Sequence, residues 1–264
     1  MANQYFQNFP ELQYKLSNGK IVSIKDFFRK SKIEQEAVDS IVQYTRYEIQ
    51  DGERPDIVAS KLYGDGDLHW TFYLVNDFDN YYDWHKDNET FEKYISQKYA
   101  GVYAIASNTT DILSTSTSNT GQHVVSKFLL GEKVTSISGT GNVIEVDSQN
   151  KRIAIEGRGF VSGETITGKI SNKTMTPTSI IEHRDGVKHY YNKTNGLYTN
   201  VPTAGYTSVT LYDYEYELNE EKRLIKVIDP AIIQKVVRRF EKVMSSWMIE
   251  HNHKKETSYQ VKLQ

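Results

Sequence analysis

The pattern of apolar and polar residues is most regular between residues 44 and 101. An alternating segment at 47–50 predicts a short strand, and the Asp-Gly pair that follows it predicts a turn. Pro55 suits the first position of a helix, because no N–H is needed there, and apolar residues continue this helix to position 63. A second helix is predicted over 68–75, where apolar residues occur on most sides. The predicted order is therefore strand, helix, helix.

The residues before this segment, 1–43, are predicted to form an arm followed by a helix. Over 1–22, aromatic and aliphatic residues are spread among polar residues and Pro10, as in an extended segment that buries little apolar surface by itself. Such an arm either lies along a partner or packs against its own domain. The spacing of apolar residues from 33 to 44 predicts an amphipathic helix.

A change of composition marks the middle of the chain. Residues 107–122 are dominated by serine, threonine, asparagine and glycine, which is typical of a loop or linker. Beyond this linker, short β-like runs alternate with glycine-containing turns, and 143–146 and 152–155 are predicted to form a hairpin. We therefore expect a β-rich domain over 102–205, including the Ser/Thr-rich linker, that forms a small barrel or sandwich.

An internal repeat lies within this β-rich domain. Its two copies are residues 128–135, with the sequence FLLGEKVT, and residues 160–167, with the sequence FVSGETIT. Two copies are too few for a solenoid, so we interpret them as two equivalent corners of one small domain. Each phenylalanine is expected to enter the core, and each glycine is expected to let the chain bend between strands.

The end of the chain, 206–264, is predicted to form a β-hairpin followed by a long helix. Alternation over 206–218 predicts one strand, and 223–228 predicts the strand that returns beside it. Asp229 and Pro230 suit the cap and the first position of the helix. This helix is the clearest amphipathic helix in the sequence.

The two faces of the C-terminal helix allow different roles. Its apolar face either packs within the protein or forms a seam against another subunit, and Trp247 favours a seam because tryptophan is enriched at interfaces. Arg238 and Arg239 lie mainly away from that face, together with Lys235 and Lys242. This basic cluster either faces an acidic or phosphate-bearing partner or is the solvated side of the helix.

Composition argues against several classes of function. The chain carries 32 lysine and arginine residues against 34 aspartate and glutamate residues, a formal net charge of −2, which argues against a general nucleic-acid-binding protein. It contains no cysteine, so disulfides and thiolate metal sites are excluded and assembly in a reducing cytoplasm is compatible. No segment approaches the roughly 20 apolar residues of a membrane span. The N-terminus does not have the pattern of a signal peptide.

The sequence offers no catalytic, cofactor-binding or metal-binding constellation. Carboxylate pairs such as Asp65 and Asp67 are interpreted as cap and turn residues, because a glycosidase needs two carboxylates at a defined separation across a cleft. Segment 77–82 begins like a calcium loop but lacks the third ligand, the central glycine and the closing glutamate. His251 and His253 lack the two further ligands of a zinc site. We therefore expect neither enzymatic activity nor a cofactor.

An ordered set of short motifs resembles a known protein family. The set consists of 54–59 (RPDIVA), 62–65 (LYGD), Trp70, Asn76, Asp83-Trp84 and 94–99 (YISQKY), with 24–29 (IKDFFR) upstream and 216–225 (YELNEEKRLI) downstream. This set resembles the baseplate wedge protein with a LysM-like domain of contractile-tailed bacteriophages. The resemblance covers the beginning and the end of the chain, and no motif of the family is found in the middle.

The resemblance implies a fold, which combines with the patterns above. We expect an α+β protein with a LysM-like core of the βααβ type and helical flanks, a small inserted β-barrel or sandwich, and a long C-terminal amphipathic helix. The expected parts are the arm and helix (1–43), the LysM-like domain (44–101), the inserted β-rich domain (102–205), and the hairpin with the C-terminal helix (206–264).

The resemblance also implies a function. It points to a structural component of the phage tail baseplate, an inner wedge protein that joins adjacent wedges around the central hub and stays in the virion. The implied partners are other wedge subunits and neighbouring wedges, with the hub as a further candidate, in a sixfold assembly of multiple copies built in the host cytoplasm. Neither nucleic acid nor a membrane is an expected partner. A peptidoglycan-binding module of the LysM type and a virion-associated wall hydrolase are the alternatives, because a fold does not define a function.

Candidate contact residues follow from these expectations. They are Tyr81, Tyr82, Trp84, Arg238, Arg239 and Trp247. Tyrosine, tryptophan and arginine are enriched at protein interfaces. The alternative for the three residues of the segment 81–84 is that they close the core of the LysM-like domain itself.

Overall fold

The structure is a computed structural model, and its described residues form two compact units. It describes residue 9 and residues 11–25, 44–118 and 121–242, with the backbone alone at 115–118 and 121–123. The first unit comprises the described residues up to 87 and those from 220 onward, and the second comprises residues 88–219. Trp247 lies outside the described residues, and so do positions 33–43 of the helix predicted over 33–44.

The helices fall in both units. Those described from end to end are α1 (Pro55–Tyr63), α2 (Trp70–Asn76), α3 (Asn88–Lys98) and α4 (Leu211–Glu221). Short 3-10 helices occur at Gly66–His69, Tyr81–Asp83, Thr109–Asp111 and His183–Asp185. Residues 233–242 are also helical, up to the point where the described chain ends.

The strands are numbered in chain order. They are β1 (Glu11–Lys15), β2 (Ile21–Lys25), β3 (Tyr44–Glu48), β4 (Val102–Ile105), β5 (Leu113–Ser118), β6 (Gly121–Ser126), β7 (Lys133–Thr135), β8 (Thr140–Asp147), β9 (Arg152–Arg158), β10 (Ile166–Gly168), β11 (Thr174–Met175), β12 (Ser179–Glu182), β13 (Val187–Tyr191), β14 (Tyr198–Thr199), β15 (Thr207–Thr210) and β16 (Leu224–Ile228). Helix and strand together give a mixed protein, which is consistent with the predicted α+β class.

The first unit is organised around the strand pair β3 and β16. The two strands are antiparallel, with Tyr44 opposite Ile228 and Tyr47 opposite Ile225. Helices α1 and α2 follow β3, and Phe72 of α2 is buried in one cluster with Ile225. The strand that pairs with β3 therefore comes from the end of the chain, outside the range 44–101 predicted for the LysM-like domain.

Local signals explain the ends of α1. Pro55 occupies its first turn, and the carboxylate of Asp56 accepts a hydrogen bond of 2.9 Å from the Arg54 side chain. Gly64 ends the helix in the left-handed region, with φ of 73°, where a residue with a side chain is strained. The prediction of this helix from Pro55 to position 63 is confirmed.

The C-terminal helical residues 233–242 pack within the first unit. Ile233 and Val237 are buried in a cluster with Trp70 of α2, and the ring of Phe240 lies 4.7 Å from the Trp70 ring. The apolar face of this segment is therefore intramolecular core over the described residues. Asp229 accepts a hydrogen bond from the N–H of Ala231, as expected of a residue that caps a turn.

The predicted hairpin of 206–228 is wrong. Of residues 206–218, only Thr207–Thr210 form a strand, and it pairs with β13. The second predicted strand is present as β16, but it pairs with β3. The chain turns into helix α4 at Leu211 because Thr210 and Asp213 form reciprocal hydrogen bonds: the Thr210 N–H donates to the Asp213 carboxylate, and the Asp213 N–H donates to the Thr210 hydroxyl. This capping box outweighs the alternating pattern of apolar residues.

The second unit contains a seven-stranded antiparallel sheet with the order β11-β10-β7-β8-β9-β4-β12. Its central pair, β8 and β9, confirms the hairpin predicted over 143–155. One face of the sheet covers a cluster that includes Phe128, Ile153, Ile155 and Phe160. The hydrogen-bond ladder stays open between β11 and β12, so a closed barrel is not formed by the described strands.

The sheet is nevertheless strongly curled. A flat sheet of seven strands would separate its edges by about 29 Å, because neighbouring strands lie about 4.8 Å apart. Only three residues connect β11 at one edge to β12 at the other. A connection of this length spans at most about 14 Å, so the two edges have to approach each other.

The internal repeat forms two equivalent corners of this sheet, as predicted. Phe128 and Phe160 are both buried in the same cluster. Gly131 and Gly163 both have positive φ, 80° and 84°, and each directly precedes a glutamate that leads into a short strand. The corners are alike because both copies carry the pattern Phe-x-x-Gly-Glu. In each copy the phenylalanine ring is buried, and the glycine then allows the chain to reverse its direction.

The predicted Ser/Thr-rich linker is wrong as a description of 107–122. Strands β5 and β6 pair in a regular antiparallel hairpin from Leu113 opposite Ser126 to Ser118 opposite Gly121. Threonine is β-branched and favours extended backbone, so a segment rich in threonine is compatible with a strand as well as a linker. The arm predicted over 1–22 likewise contains a hairpin, in which β1 pairs with β2.

Candidate protein-contact site

The segment between Phe78 and Trp84 is fixed at both ends in the core of the first unit. The two rings meet edge to face, with centroids 6.4 Å apart and planes at 85°. The indole N–H of Trp84 donates a hydrogen bond of 2.8 Å to the carbonyl of Glu53. Since Trp84 is 3% exposed and Phe78 packs against the same cluster, both ends of the segment are held by apolar burial.

The backbone between these anchors forms a closed turn, which we call the tyrosine turn (79–83). The carboxylate of Asp83 accepts hydrogen bonds from the N–H groups of Asp79 and Asn80, at 2.9 and 3.1 Å. The side-chain oxygen of Asn80 accepts a hydrogen bond of 2.8 Å from the N–H of Tyr82. Asn80 and Asp83 thus form a capping box around the 3-10 helix.

Two side chains project from the tyrosine turn into solvent. Tyr81 is 60% exposed and Tyr82 is 74% exposed. Their rings lie 6.2 Å apart at an interplanar angle of 74°, so each ring limits the rotation of the other. Because the backbone beneath them is fixed by hydrogen bonds, the pair is presented to solvent in a defined arrangement.

Positive charge lies beside the tyrosine turn. The ammonium groups of Lys86 and Lys222 both donate to the carbonyl of Tyr82, at 3.0 and 3.5 Å. The nearby Tyr73 stays neutral, since burial raises its pKa to about 12, with further contributions from Tyr81 and Asp83. The arrangement offers two exposed aromatic rings next to a basic rim, which suits contact with another protein.

The structure treats the predicted contact residues differently. Tyr81 and Tyr82 belong to the tyrosine turn and Trp84 directly follows it. Trp84 is buried, so its burial supports the alternative that it closes the core of its own domain. Arg238 and Arg239 are exposed on the helical segment 233–242.

The sequence did not point to the rigidity of the turn or to Lys86 and Lys222. The pattern Asn-x-x-Asp at 80–83 is a capping-box signal and could have predicted a fixed turn. The lysines carry no such signal, because Lys222 reaches the turn from a distant part of the sequence.

The carboxylates considered for catalysis have structural roles. Asp65 accepts a hydrogen bond of 2.9 Å from the N–H of Asp67, which begins a 3-10 helix. Asp83 holds the tyrosine turn. Within the described part of the chain, no group of three or more histidine or carboxylate side chains is placed to hold a metal ion.

A shallow groove of about 690 Å³ lies beside α1 in the first unit. It is lined by Asp56, Ile57, Ser60, Lys61, Gly66, Asp67 and His69. This lining includes no tryptophan, tyrosine or phenylalanine, the residues on which sugar rings commonly stack, and so it does not favour the glycan-binding alternative. Over the residues that the structure describes, no helix is both long and apolar enough to cross a membrane.

Comparison with known proteins agrees with the resemblance found in the sequence. Residues 5–109 match the family model described as base plate wedge protein 53. The resemblance to a phage baseplate wedge protein is thereby confirmed, and the match supports a structural role in the virion tail and interaction with other baseplate proteins. No curated protein matches the chain.

Proposed function

We propose, from the match of residues 5–109 to base plate wedge protein 53, that this protein is an inner wedge component of the phage tail baseplate. It joins adjacent wedges around the central hub through protein–protein contacts. Its partners are other wedge subunits and neighbouring wedges of a contractile tail, with several copies in a sixfold assembly. The observation that carries the proposal is that the matched residues include the tyrosine turn, which presents Tyr81 and Tyr82 to solvent.

The physical chemistry of the tyrosine turn suits an assembly contact. Tyrosine supplies a large contact area with few rotatable bonds, so little side-chain entropy is lost on binding. The hydrogen bonds of Asn80 and Asp83 already order the backbone of the turn, so the entropy of ordering it is not lost at the moment of association. An exposed aromatic pair on a fixed support therefore has the properties of a binding hot spot.

The proposal also includes a LysM-like module that serves as a joint between proteins. Its elements are β3, α1, α2 and β16, in the order strand, helix, helix, strand, with the two strands antiparallel. The support for this module is its topology. In this module the second strand comes from the chain end, so the β-rich second unit is an insertion between the second helix and the second strand.

Assembly of baseplate wedges in vitro tests the proposal. The variant Tyr81→Ser/Tyr82→Ser should fail to join wedges, as measured by sedimentation, and should keep the thermal midpoint of the wild type because both side chains are exposed. Tyr198→Ser is the matched control, since Tyr198 is 68% exposed but lies outside the matched residues. Normal joining by the double variant would contradict the proposed contact.

A further inference from the structure

We propose that a corner of the second unit, formed by Leu129, Leu130 and Ile170, binds an acidic segment of another protein that carries apolar side chains between its carboxylates. We call this surface the lysine-ringed corner, because Lys133, Lys169 and Lys173 belong to the same turns and the strands next to them. It lies in a different unit from the tyrosine turn and goes beyond the proposed function.

A buried carboxylate holds the lysine-ringed corner in shape. Glu132 is 1% exposed and accepts hydrogen bonds from the N–H groups of Leu129 at 2.7 Å and of Ile170 at 3.2 Å. It also accepts hydrogen bonds from the N–H and the hydroxyl of Ser171, both at 3.0 Å. One side chain therefore ties together two turns that are far apart in sequence, and the backbones of Leu129 and Ile170 meet at the same carboxylate.

The apolar side chains of this corner face solvent. Leu129 is 49% exposed, Leu130 is 71% exposed and Ile170 is 67% exposed. Single exposed apolar residues are common on protein surfaces, but three on one rigid support form a patch that gains free energy when a partner removes it from water. The support is fixed before binding, so the contact loses little backbone entropy.

Three lysines have their backbones beside the same patch. The N–H of Lys169 donates to the carbonyl of Lys133 at 2.9 Å, and the N–H of Gly168 donates to the carbonyl of Lys173 at 2.9 Å, so all three backbones are adjacent. All three side chains are exposed, and none forms an ion pair with another described residue. Like charges this close repel each other, so an anionic partner is favoured.

The carboxylates near the corner do not neutralise these lysines. Glu132 is the acidic residue of the two turns, and its oxygens are engaged with backbone N–H groups and a hydroxyl. Glu156 is exposed and belongs to the same sheet. Lys133 lies opposite Asn142 of β8, and Asn142 lies opposite Glu156 of β9. One strand, β8, lies between Glu156 and Lys133, so two strand spacings separate them, a distance of about 10 Å.

The combination of charge and apolar area identifies the class of partner. Lysines alone would suit any polyanion, including nucleic acid. The exposed leucine and isoleucine side chains of the corner make no favourable contact with a phosphate backbone. They can pack against aliphatic or aromatic side chains. An acidic protein segment with interspersed apolar residues satisfies both features.

The second copy of the repeat provides an internal control. Its corner contains the exposed Val161 and the isoleucine at 137, which is 92% exposed and precedes Ser138, whose N–H donates to the carboxylate of Glu164. Thr165 stands where the first copy has Lys133, and neither turn of this corner contains a lysine. The two corners therefore share their shape and differ in charge.

Binding of synthetic peptides to the full chain tests the inference. The probe is a fluorescein-labelled peptide of alternating glutamate and leucine, and its Kd is measured by fluorescence anisotropy at low salt. Lys133→Glu/Lys169→Glu should raise the Kd at least about tenfold, and Leu130→Ser should also raise it, because charge and apolar contact both contribute. The matched controls, Thr165→Glu and Ile137→Ser, should leave the Kd unchanged, and thermal midpoints verify that every variant is folded.

Four outcomes would overturn the inference. These are equal weakening by the control variants, equally tight binding of a peptide with glutamate but no leucine, equally tight binding of single-stranded DNA of the same charge, and self-association of the chain that Lys133→Glu/Lys169→Glu abolishes. The last would assign the corner to a second copy. The variant Tyr81→Ser/Tyr82→Ser should bind the peptide normally, so failure here and failure of the proposed function are separate results.

Discussion

The carboxylates of Glu132 and Glu164, at equivalent positions in the two copies of the internal repeat, each hold a turn of the other copy. Glu132 accepts a hydrogen bond from the N–H of Ser171, in the turn that follows the strand of the second copy. Glu164 accepts one of 3.0 Å from the N–H of Ser138, in the turn that follows the strand of the first copy. The relationship is reciprocal.

The strand pairing gives this reciprocity its geometry. Thr135 and Thr167 are also equivalent in the repeat, and they lie opposite each other in the antiparallel pair of β7 and β10. Exchange of the two copies therefore maps this strand pair onto itself. A local twofold relation follows, and it explains why each glutamate reaches the turn of the other copy. Glu132 in addition accepts a hydrogen bond from Leu129 of its own copy.

Removal of the Glu132 carboxylate should destabilise the second unit. Burial by itself would raise the pKa of Glu132, but hydrogen bonds from Ser171, Leu129 and Ile170 outweigh it and lower the pKa from 4.5. Glu132→Ala leaves the N–H groups of these residues without their acceptor, so we expect a loss of about 3 kcal/mol in the free energy of unfolding. Urea denaturation measures it.

Glu164→Ala is the matched comparison for that loss. Glu164 makes similar hydrogen bonds to Ser136 and Ser138 but is only partly buried, so water can replace the missing acceptor. We expect a smaller loss. Equal losses of unfolding free energy in the two variants would show that the greater burial of Glu132 does not increase its contribution to stability.

Substitutions in the tyrosine turn and at its anchor Trp84 should distinguish a core residue from a contact residue. Trp84→Ala removes a buried indole and its hydrogen bond to Glu53, and we expect a loss of about 3–5 kcal/mol in unfolding free energy. Tyr82→Ser changes an exposed side chain and should stay within about 0.5 kcal/mol of the wild type. Thermal and urea unfolding of both variants provide the test, and a stability loss of several kcal/mol in Tyr82→Ser would show that the tyrosine is part of the core.

The stability of the second unit should fall as the pH falls below 6.5. His183 is buried between the rings of Tyr99 and Tyr103, with its Nδ1 3.2 Å from the carbonyl of Ala100. Burial, together with the positive charge of Arg152, lowers the pKa of His183 from 6.5. The unfolded chain therefore binds a proton at a pH where the folded protein does not, and the free energy of unfolding decreases from pH 6.5 down to the folded pKa.

Comparison with His183→Asn isolates this effect. The asparagine amide can donate to the carbonyl of Ala100 but does not titrate. Between about pH 7.5 and 5.5 the wild type should lose up to about 1 kcal/mol more than the variant, since one pKa unit corresponds to about 1.4 kcal/mol. Carboxylates with a lowered pKa, such as Glu132 and Asp147, act only below about pH 4.5 and leave this window clear. Equal pH dependence of the two proteins would rule out the histidine as its cause.

Glycine substitutions should distinguish backbone strain from steric collision. A Cβ at Gly131, which has φ of 80°, meets no atom within 4 Å, so Gly131→Ala should cost only the strain of the left-handed region, about 1 kcal/mol. Gly101 has φ of 94°, and a Cβ there collides with the carbonyl oxygen of Ile155 in β9, so Gly101→Ala should cost clearly more. Thermal unfolding compares them, with Gly163→Ala as the equivalent of Gly131→Ala, and a large loss at Gly131 would contradict the open surroundings of that corner.

Local signals account for the parts of the fold that the sequence predicted well. Helix α1 begins at Pro55 and ends before Gly64 because each residue imposes its backbone geometry on its neighbours. Helix α4 shows the limit of apolar alternation, since the capping box of Thr210 and Asp213 starts a helix where alternation predicts a strand. A search for that box would have corrected the prediction.

The candidate site was predicted only in part. Its residue types, tyrosine and tryptophan in the segment 81–84, were identified from the sequence. The sequence could not decide that Trp84 is buried and that Tyr81 and Tyr82 are exposed, because that depends on Phe72 and Ile225, which close the core around the indole. Burial is a property of the neighbours that a residue acquires on folding.

By itself, the sequence determined the helix α1, the hairpin of β8 and β9, the two equivalent corners and the resemblance to a baseplate wedge protein. Each of these depends on residues close together in the chain or on an ordered set of short motifs. Only the tertiary structure decided that β16 completes the strand pair of β3 and that Glu132 and Glu164 hold each other's turns. These contacts join distant parts of the chain, and their partners are chosen by shared burial and hydrogen bonding, which no local pattern encodes.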